Sequence, residues 1–227
     1  MHPPLPKETI DLYAAQRGRR FIFAPPAPSR TALVVVDMQN GFVSPTGALA
    51  VPDCPDIVPN INKMAAALRT AGGTVIWIIS TFGPDPLQAW HFMFNEFMNA
   101  DVREEKQKAL YAGAEGHKIW SDLKVEPGDL TISKNRFSAL IQGSSDLDAQ
   151  LRARGIEHVI ITGTLTNVCC ESTGRDAMML GYRVTMLSDG NAAPSDDLHH
   201  NSLKAFGRTF GDVMTTDEMI GRLQGPF

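Results

Sequence analysis

Three side chains of the kinds used in nucleophilic catalysis occur close behind short β-branched apolar runs: Asp37, Lys134 and Cys169. A free thiol has a pKa of about 8.5, so it is mostly protonated at neutral pH. A helix N-terminus and a nearby ammonium group both favour the thiolate. A carboxylate within reach can accept the thiol proton and later donate it to a departing amine. An acid, an amine and a thiol at one place would therefore support attack on a carbonyl carbon.

Each of these residues also has an ordinary structural explanation. An aspartate after a strand is usually a helix or turn cap, and a lone lysine is usually solvated. A cysteine at the start of a helix is often just a small buried residue. Chemistry is favoured over these explanations if the fold brings the three side chains to one place.

Short apolar runs alternate with helical patterns along most of the chain. The runs are Ala32–Val36, Thr74–Ile79, Leu130–Ile132, His158–Thr162, Arg183–Leu187 and, more weakly, Asp212–Met214. The helical patterns, each followed closely by glycine, are Ile57–Thr70, Asp146–Arg154, Val168–Leu180 and Leu198–Phe206. This alternation predicts an α/β fold, a three-layer α/β/α sandwich with a mainly parallel, six-stranded, Rossmann-like sheet. Ligands bind such sheets outside the carboxyl ends of the strands, where all three reactive side chains would lie.

Two segments depart from this rhythm. Residues 1–30 carry six of the 15 prolines and little periodicity. We expect them to form an extended arm that wraps its own domain, residues 31–227, or a neighbouring subunit. Residues 82–124 are too long for a plain crossover and are rich in aromatic side chains. We expect them to form an additional helix packed on the core, a lid or pocket wall over the site, or both.

The length, net charge and apolar content of the chain limit the classes of function that it can have. The chain has 227 residues, enough for one domain with a sizeable core, and a formal net charge of -4. This charge favours neither a nucleic acid nor an anionic membrane as a partner, and no apolar stretch is long enough to span a bilayer. The N-terminal residues lack the apolar stretch of a secretory signal, so we expect a cytoplasmic protein.

The segment around Cys169 resembles the signature of the isochorismatase-like cysteine hydrolases. It reads Gly163-Thr164-Leu165-Thr166-Asn167-Val168-Cys169-Cys170-Glu171-Ser172-Thr173-Gly174-Arg175-Asp176-Ala177. The run Val35-Val36-Asp37-Met38-Gln39-Asn40 is similar to the family's first-strand motif, and Lys134 with Phe137-Ser138-Ala139 is similar to its lysine segment. The resemblance covers Thr31 to Thr216 and implies a sheet of order 3-2-1-4-5-6.

The resemblance also implies roles for individual residues. Cys169 corresponds to the nucleophile, Asp37 to the general acid/base and Lys134 to the lysine that supports both. The family's cis peptide maps to Thr164–Leu165. The backbone N–H groups of Leu165 and Cys169 would then form the oxyanion hole. By the same resemblance we expect a homo-oligomer.

Two departures narrow the expected activity. Many nicotinamidases of the family bind a metal through an Asp-x-His pair after the second strand, where this chain reads Thr81-Phe82-Gly83. The only imidazole near that place in the sequence is His91, so we expect neither a metal nor a cofactor. Isochorismatases cleave a vinyl ether without a cysteine nucleophile, so Cys169 favours a small amide or ureide as substrate. The amino-acid sequence of this signature is most similar to that of the ureidoacrylate and carbamoyl-amide branch.

Several residues have weaker assignments. The candidates for substrate binding by position are Asn40, Phe42, Trp90, His91, Phe137 and Asn167. His199-His200 is expected on the solvated surface of a helix, and Cys54 in a loop with a structural role. A Cys169–Cys170 redox pair is disfavoured because adjacent cysteines can bridge only in a strained ring. Two alternatives to a cysteine amidohydrolase stay open: a vinyl-ether hydrolase and a catalytically silent binding module of the same fold.

Overall fold

The computed structural model describes residues 2–83 and 90–225. The side chains of His91, Phe94, Asn95, Ala100 and Asp101 also lie outside this description.

A six-stranded parallel sheet forms the middle layer of the molecule. Its strands are β1 (Thr31–Val36), β2 (Thr74–Ser80), β3 (Leu130–Lys134), β4 (His158–Thr164), β5 (Arg183–Ala192) and β6 (Asp212–Met214). They are arranged in the order β3-β2-β1-β4-β5-β6, and every neighbouring pair is parallel. The predicted fold class and strand order are therefore confirmed.

Burial on both faces of the sheet explains why its strands are apolar without alternation. In β1, Val34 and Val36 pack into one core cluster, while Leu33 and Val35 pack into another on the opposite face. All six residues of this strand are buried. A strand covered by helices on both faces has no side that can be polar.

Helices cover the two faces and follow most of the predicted patterns. They are α1 (Lys7–Arg17), α2 (Asn40–Val43), α3 (Cys54–Thr70), α4 (His91–Glu96), α5 (Ala100–Ala109), α6 (Leu147–Ala153), α7 (Glu171–Met179), α8 (Asp196–Thr209) and α9 (Thr216–Gln224). The sequence pattern missed α9, which begins with a capping box between Thr215 and Glu218. None of the helices in the described ranges has the length and apolar character needed to cross a bilayer.

The prediction of an extended N-terminal arm is wrong for residues 7–17, which form α1. The prolines stand outside this helix: Pro6 is its N-cap, and Gly18 ends it in the left-handed conformation with φ 68°. The segment packs on its own domain, because the Tyr13 hydroxyl donates to the Lys204 carbonyl at 2.6 Å. The prolines of this segment therefore lie before and well after a helix and do not exclude it.

Cys54 corrects a second expectation. It is the first residue of α3 and is fully buried, whereas the sequence placed it in a loop. The proline that follows it suits the first turn of a helix, where no intrahelical N–H bond is lost.

Candidate active site

The carboxyl ends of four neighbouring strands bring the reactive residues to one edge of the sheet. Asp37 directly follows β1 and has φ 52°, a left-handed conformation that Asp tolerates better than most residues. Lys134 is the last residue of β3, and Ser80 is the last residue of β2. Cys169 lies in the turn that follows β4.

The side chains of Asp37, Lys134 and Cys169 meet in a buried cluster. The Lys134 ammonium Nζ lies 2.8 Å from Asp37 Oδ2 and 3.5 Å from Cys169 Sγ. Asp37 is 0% exposed, Lys134 1% and Cys169 7%. An aspartate, a lysine and a cysteine that are far apart in the sequence thus form one network that is nearly closed to solvent.

Burial controls the protonation of this cluster. It raises the pKa of the Cys169 thiol to about 12, since the opposing effect of Lys134 is smaller and the Asp37 carboxylate raises the pKa further. Burial disfavours the charge on Lys134, but Asp37 and Cys169 outweigh it, so the pKa of Lys134 is raised. The thiol is therefore protonated at rest. A helix N-terminus and a nearby ammonium favour the thiolate, but the loss of hydration on burial has the larger effect on the pKa.

Ser80 connects the acid and the lysine and was not found from the sequence. Its hydroxyl donates to Asp37 Oδ1 at 2.9 Å and accepts from Lys134 Nζ at 2.8 Å. Gln39 holds this strand end, because its Oε1 accepts the Ser80 N–H at 2.8 Å and its Nε2 donates to the Ser80 carbonyl. The Arg136 carbonyl also accepts from Lys134, at 3.0 Å. A serine at a strand end carries no local signal of such a role.

The turn that carries Cys169 is a short π-helical segment, Thr166–Cys170. The sequence pattern began a helix at Val168, whereas α7 begins only at Glu171. The peptide bond between Thr164 and Leu165 is cis. The N–H groups of Val168 and Cys170 both donate to the Leu165 carbonyl at 3.1 Å. The two N–H groups expected in the oxyanion hole, those of Leu165 and Cys169, are not the donors of these bonds.

A cavity of about 240 Å³ opens over Cys169 and is mostly apolar. Of the six residues expected to bind substrate, Phe42, Trp90 and Phe137 line it. Leu165, which the sequence predicted in the oxyanion hole, also lines the cavity. The remaining lining residues were not among the predicted site residues: Leu49, Ser80, Phe82, Met93, Met98, Lys106, Leu110, Arg136 and Val168. Residues from 82–124 thus form one wall of the cavity, and their action as a lid stays a prediction.

The other three substrate-binding candidates are not among the lining residues. The Asn40 amide donates to the Glu115 carbonyl at 3.1 Å and to its carboxylate at 3.0 Å. Asn167 Oδ1 is buried without a hydrogen-bond partner among the described residues. The His91 side chain lies outside the described part of the structure.

Two basic residues, Lys106 and Arg136, are among those that line this mostly apolar cavity. The Arg136 guanidinium lies over the Trp90 ring, 5.2 Å from its centroid, and Trp90 meets Phe137 edge to face at 4.6 Å. Contact with an aromatic face stabilises a cation where water is scarce. The cavity therefore combines an aromatic wall with positive charge.

A histidine near the end of β2 was missed, because His117 is distant from Thr81 in sequence. Its Nε2 lies 2.8 Å from the Thr81 hydroxyl, so His91 is not the only imidazole near this strand end. Burial lowers the pKa of His117. The described side-chain partner of His117 is the Thr81 hydroxyl and not a carboxylate. A divalent metal site would be expected to combine the imidazole with carboxylate, thiolate or further imidazole ligands.

One group of side chains in the described ranges brings possible metal ligands within 4.8 Å of one another: His2, Asp53 and Asp196. His2 Nε2 accepts the Ala193 N–H at 3.0 Å, so the ring proton resides on Nδ1. That atom lies 2.7 Å from Asp196 and 3.1 Å from Asp53. A metal would need the position that this proton holds, so the group fits a histidine donating to carboxylates better than a metal centre.

The sequence of residues 31–218 matches the family model for the isochorismatase domain. RutB of Caulobacter vibrioides, a ureidoacrylate amidohydrolase, is 35% identical over 212 residues, which cover 87% of this chain and 92% of the relative. A cysteine hydrolase from Pseudomonas syringae pv. phaseolicola has a TM-score of 0.81 at 33% identity, covering 90% of this chain and 97% of that one. N-carbamoylsarcosine amidase from Thermoplasma acidophilum has a TM-score of 0.67 at 27% identity, covering 83% and 97%. These matches confirm the resemblance, and the chain belongs to the isochorismatase family of hydrolases.

Proposed function

We propose that this protein is a metal-independent cysteine amidohydrolase that cleaves a C–N bond of a small amide or ureido compound. The buried contact of Cys169 with Lys134 and Asp37 is the observation that carries this proposal. The family supports it, because relatives similar to this chain are described as amidohydrolases, among them a ureidoacrylate amidohydrolase and an N-carbamoylsarcosine amidase.

The first half of the reaction forms a thioester. Asp37 Oδ2 lies 2.8 Å from the Lys134 ammonium, and the Asp37 carboxylate also interacts with the Cys169 thiol and raises its pKa, so Asp37 is placed to accept the thiol proton. The thiolate attacks the substrate carbonyl carbon, and the N–H groups of Leu165 and Cys169 bind the developing oxyanion. Asp37 then protonates the leaving nitrogen, and ammonia or an amine departs.

The second half releases the acid. Asp37 takes a proton from water, which attacks the thioester carbonyl and displaces the Cys169 sulfur. The sulfur regains its proton from Asp37, which restores the starting state. With a carbamoyl substrate the released acid is a carbamic acid, which decomposes to ammonia or an amine and CO₂.

The cavity favours an amide that carries a carboxylate. The basic residues Lys106 and Arg136 line its wall, and the aromatic side chains of Trp90 and Phe137 suit a flat, conjugated group. A charged partner in a water-poor pocket contributes more to binding than the same pair in water. A ureido acid meets both requirements.

Ammonia release from a panel of amides tests the proposal. The panel contains ureidoacrylate, N-carbamoyl amino acids, biuret, nicotinamide and simple aliphatic amides, with a neutral ester or amide counterpart for each acid. We expect turnover of at least one ureido acid, weaker turnover of its neutral counterpart, and loss of at least about 10³-fold in Cys169→Ala. An acyl adduct on Cys169 in denatured reaction mixtures, measured by peptide mass, would support the thioester.

Cys170→Ala is the matched control, because it removes the adjacent thiol, which is also buried, and should keep turnover within a few-fold. Full amidase turnover by Cys169→Ala would overturn the mechanism. Pyruvate release from isochorismate by Cys169→Ala would establish a vinyl-ether hydrolase instead. Absence of turnover across the panel, together with an unreactive Cys169, would favour a binding module.

A further inference from the structure

His199 lies inside the molecule, which corrects the expectation that His199-His200 is solvated surface. His199 is 0% exposed, whereas His200 is partly exposed and its Nε2 lies 2.8 Å from the Pro3 carbonyl. The two histidines are neighbours on α8, so one faces the core and the other faces away from it. The buried one contacts the turn that carries Cys169.

The hydrogen bonds of His199 determine which of its nitrogens carries the proton. Nε2 lies 3.0 Å from the Ser188 carbonyl, which can only accept, so the proton is on Nε2. Nδ1 lies 2.9 Å from the Thr166 hydroxyl and must therefore accept from it. Burial is the main cause that lowers the pKa of His199 to about 3, so the ring stays in this neutral form near neutral pH.

A second side chain of α8 holds the same turn. The Ser202 hydroxyl lies 2.7 Å from the Glu171 carboxylate and 3.2 Å from the Thr166 carbonyl. His199 and Ser202 thus contact the first residue of the Thr166–Cys170 turn and the residue that follows it. A segment held at both ends has little freedom to move the sulfur that lies between them.

The N-terminal segment covers the outer face of the His199 ring. The His2 ring stacks on it with centroids 4.2 Å apart and an interplanar angle of 19°. His2 is held by the Ala193 N–H and by the carboxylates of Asp53 and Asp196. The imidazole of His199 is therefore confined both by hydrogen bonds and by stacking.

We propose that His199 is a positioning residue that, through the Thr166 hydroxyl, holds the turn bearing Cys169 in its reactive orientation. This inference rests on the proposed function. It assigns to His199 no contact with substrate. The bond that matters is the one from Thr166 to Nδ1, while the bond from Nε2 to Ser188 sets the tautomer that makes Nδ1 an acceptor.

Two substitutions separate this role from ordinary packing. Asn places an acceptor oxygen where His has Nδ1, and Gln places an amide nitrogen where His has Nε2. We expect His199→Asn to keep kcat within about 3-fold, and His199→Gln to lower kcat by about 10- to 100-fold with little change in KM, since small misplacements of reacting groups cost this much. A role in packing alone predicts the same activity for both variants, because both lose the ring and its stacking on His2.

Thr166 supplies the partner half of the test. Thr166→Val removes the hydroxyl with little change in shape and should lower kcat as His199→Gln does, whereas Thr166→Ser should rescue it. The double variant Thr166→Val with His199→Gln should lose no more than either alone, because both break one interaction. Additive losses would overturn the proposal. His200→Gln is the matched control and should leave kcat unchanged.

The alkylation rate of Cys169 by iodoacetamide, resolved by peptide mass, tests the placement of the sulfur without turnover. We expect the rate to change several-fold in His199→Gln and not in His199→Asn. If no amide is hydrolysed but this difference is found, the proposed function fails and the positioning role stands. Equal alkylation rates and equal kcat in the two variants would overturn the positioning role while leaving the hydrolase intact.

Discussion

In the proposed mechanism, the charges of Asp37, Lys134 and Cys169 explain how a thiol that is protonated at rest could act as a nucleophile. At rest the cluster holds one ion pair, Lys134 with Asp37, beside a neutral thiol whose pKa burial raises to about 12. Moving the thiol proton to Asp37 gives another ion pair, Lys134 with the thiolate. The number of buried charges is unchanged, so the step avoids the large cost of creating a new charge away from water.

Ser80 should be needed for this exchange, because it joins Lys134 to Asp37 through two hydrogen bonds. Ser80→Ala leaves both charged groups with one partner fewer in a buried site. Hydrogen bonds to charged groups contribute about 1.5–3 kcal/mol, so we expect kcat to fall about 10- to 100-fold. Steady-state kinetics on the best substrate of the panel measure this.

Ser133→Ala is the matched control for Ser80→Ala. Ser133 is exposed on β3, one residue before Lys134, and its hydroxyl accepts from Thr81 at 3.0 Å. It should keep full turnover. An unchanged kcat in Ser80→Ala would mean that the ion pair needs no bridging hydroxyl.

At the scale of elements, the ends of β1 and β4 determine the separation of Asp37 from the turn of Cys169. Gly163 of β4 pairs with Val36 of β1, one residue before Asp37. Its φ is +117°, and a Cβ at this position would lie 2.1 Å from the Val36 carbonyl oxygen. Glycine is required here both by conformation and by the close approach of the two strands.

Gly163→Ala should therefore lower the free energy of unfolding by about 3 kcal/mol or more, since strained backbone and a backbone clash act together. Urea unfolding measures the loss. Gly143→Ala is the control: its φ of +78° is also left-handed, but nothing lies within 4 Å of the added Cβ. We expect it to lose only about 1–2 kcal/mol. Equal losses would show that conformation alone, without the strand contact, accounts for the effect.

At the scale of the whole molecule, two buried neutral histidines should make stability depend on pH. Burial is the largest cause that lowers the pKa of His158, on β4, and of His199, on α8, each to about 3. The unfolded chain binds these protons near pH 6.5, whereas the folded chain does not until the pH approaches 3. Stability is therefore complete above pH 6.5 and falls as the pH decreases toward 3.

We expect each histidine to contribute a slope of about 1.4 kcal/mol per pH unit between pH 5 and 6. Urea unfolding at several pH values should give a slope that is lower by this amount in His158→Gln. Thr185→Val removes the hydroxyl that lies 2.9 Å from His158 Nε2 but leaves the histidine, so it should lower stability and keep the slope. A slope unaltered by His158→Gln would contradict the prediction.

The sequence alone predicted the fold class, the six strands and the three residues that meet in the buried cluster. The apolar runs follow from two-sided burial of the sheet, and the family resemblance pointed to Asp37, Lys134 and Cys169. Glycine follows the end of three of the four predicted helices, but the predicted stop at Gly207 is wrong, because α8 continues through it to Thr209. Both kinds of signal are local: they extend over a few neighbouring residues and can be read without knowing what lies opposite in space. Cytoplasmic location and homo-oligomerisation stay predictions.

Only the tertiary structure decided which residues support that cluster. Ser80 meets Asp37 across 43 positions of the chain, and His199 meets Thr166 across 33. The sequence around a serine at a strand end is the same whether its side chain faces solvent or a buried cluster. The same holds for a histidine on a helix. The roles of Ser80 and His199 depend on which strand ends and which helix faces lie next to each other in space. That is set by the packing of α8 and the order of the strands, and not by any pattern near the residues themselves.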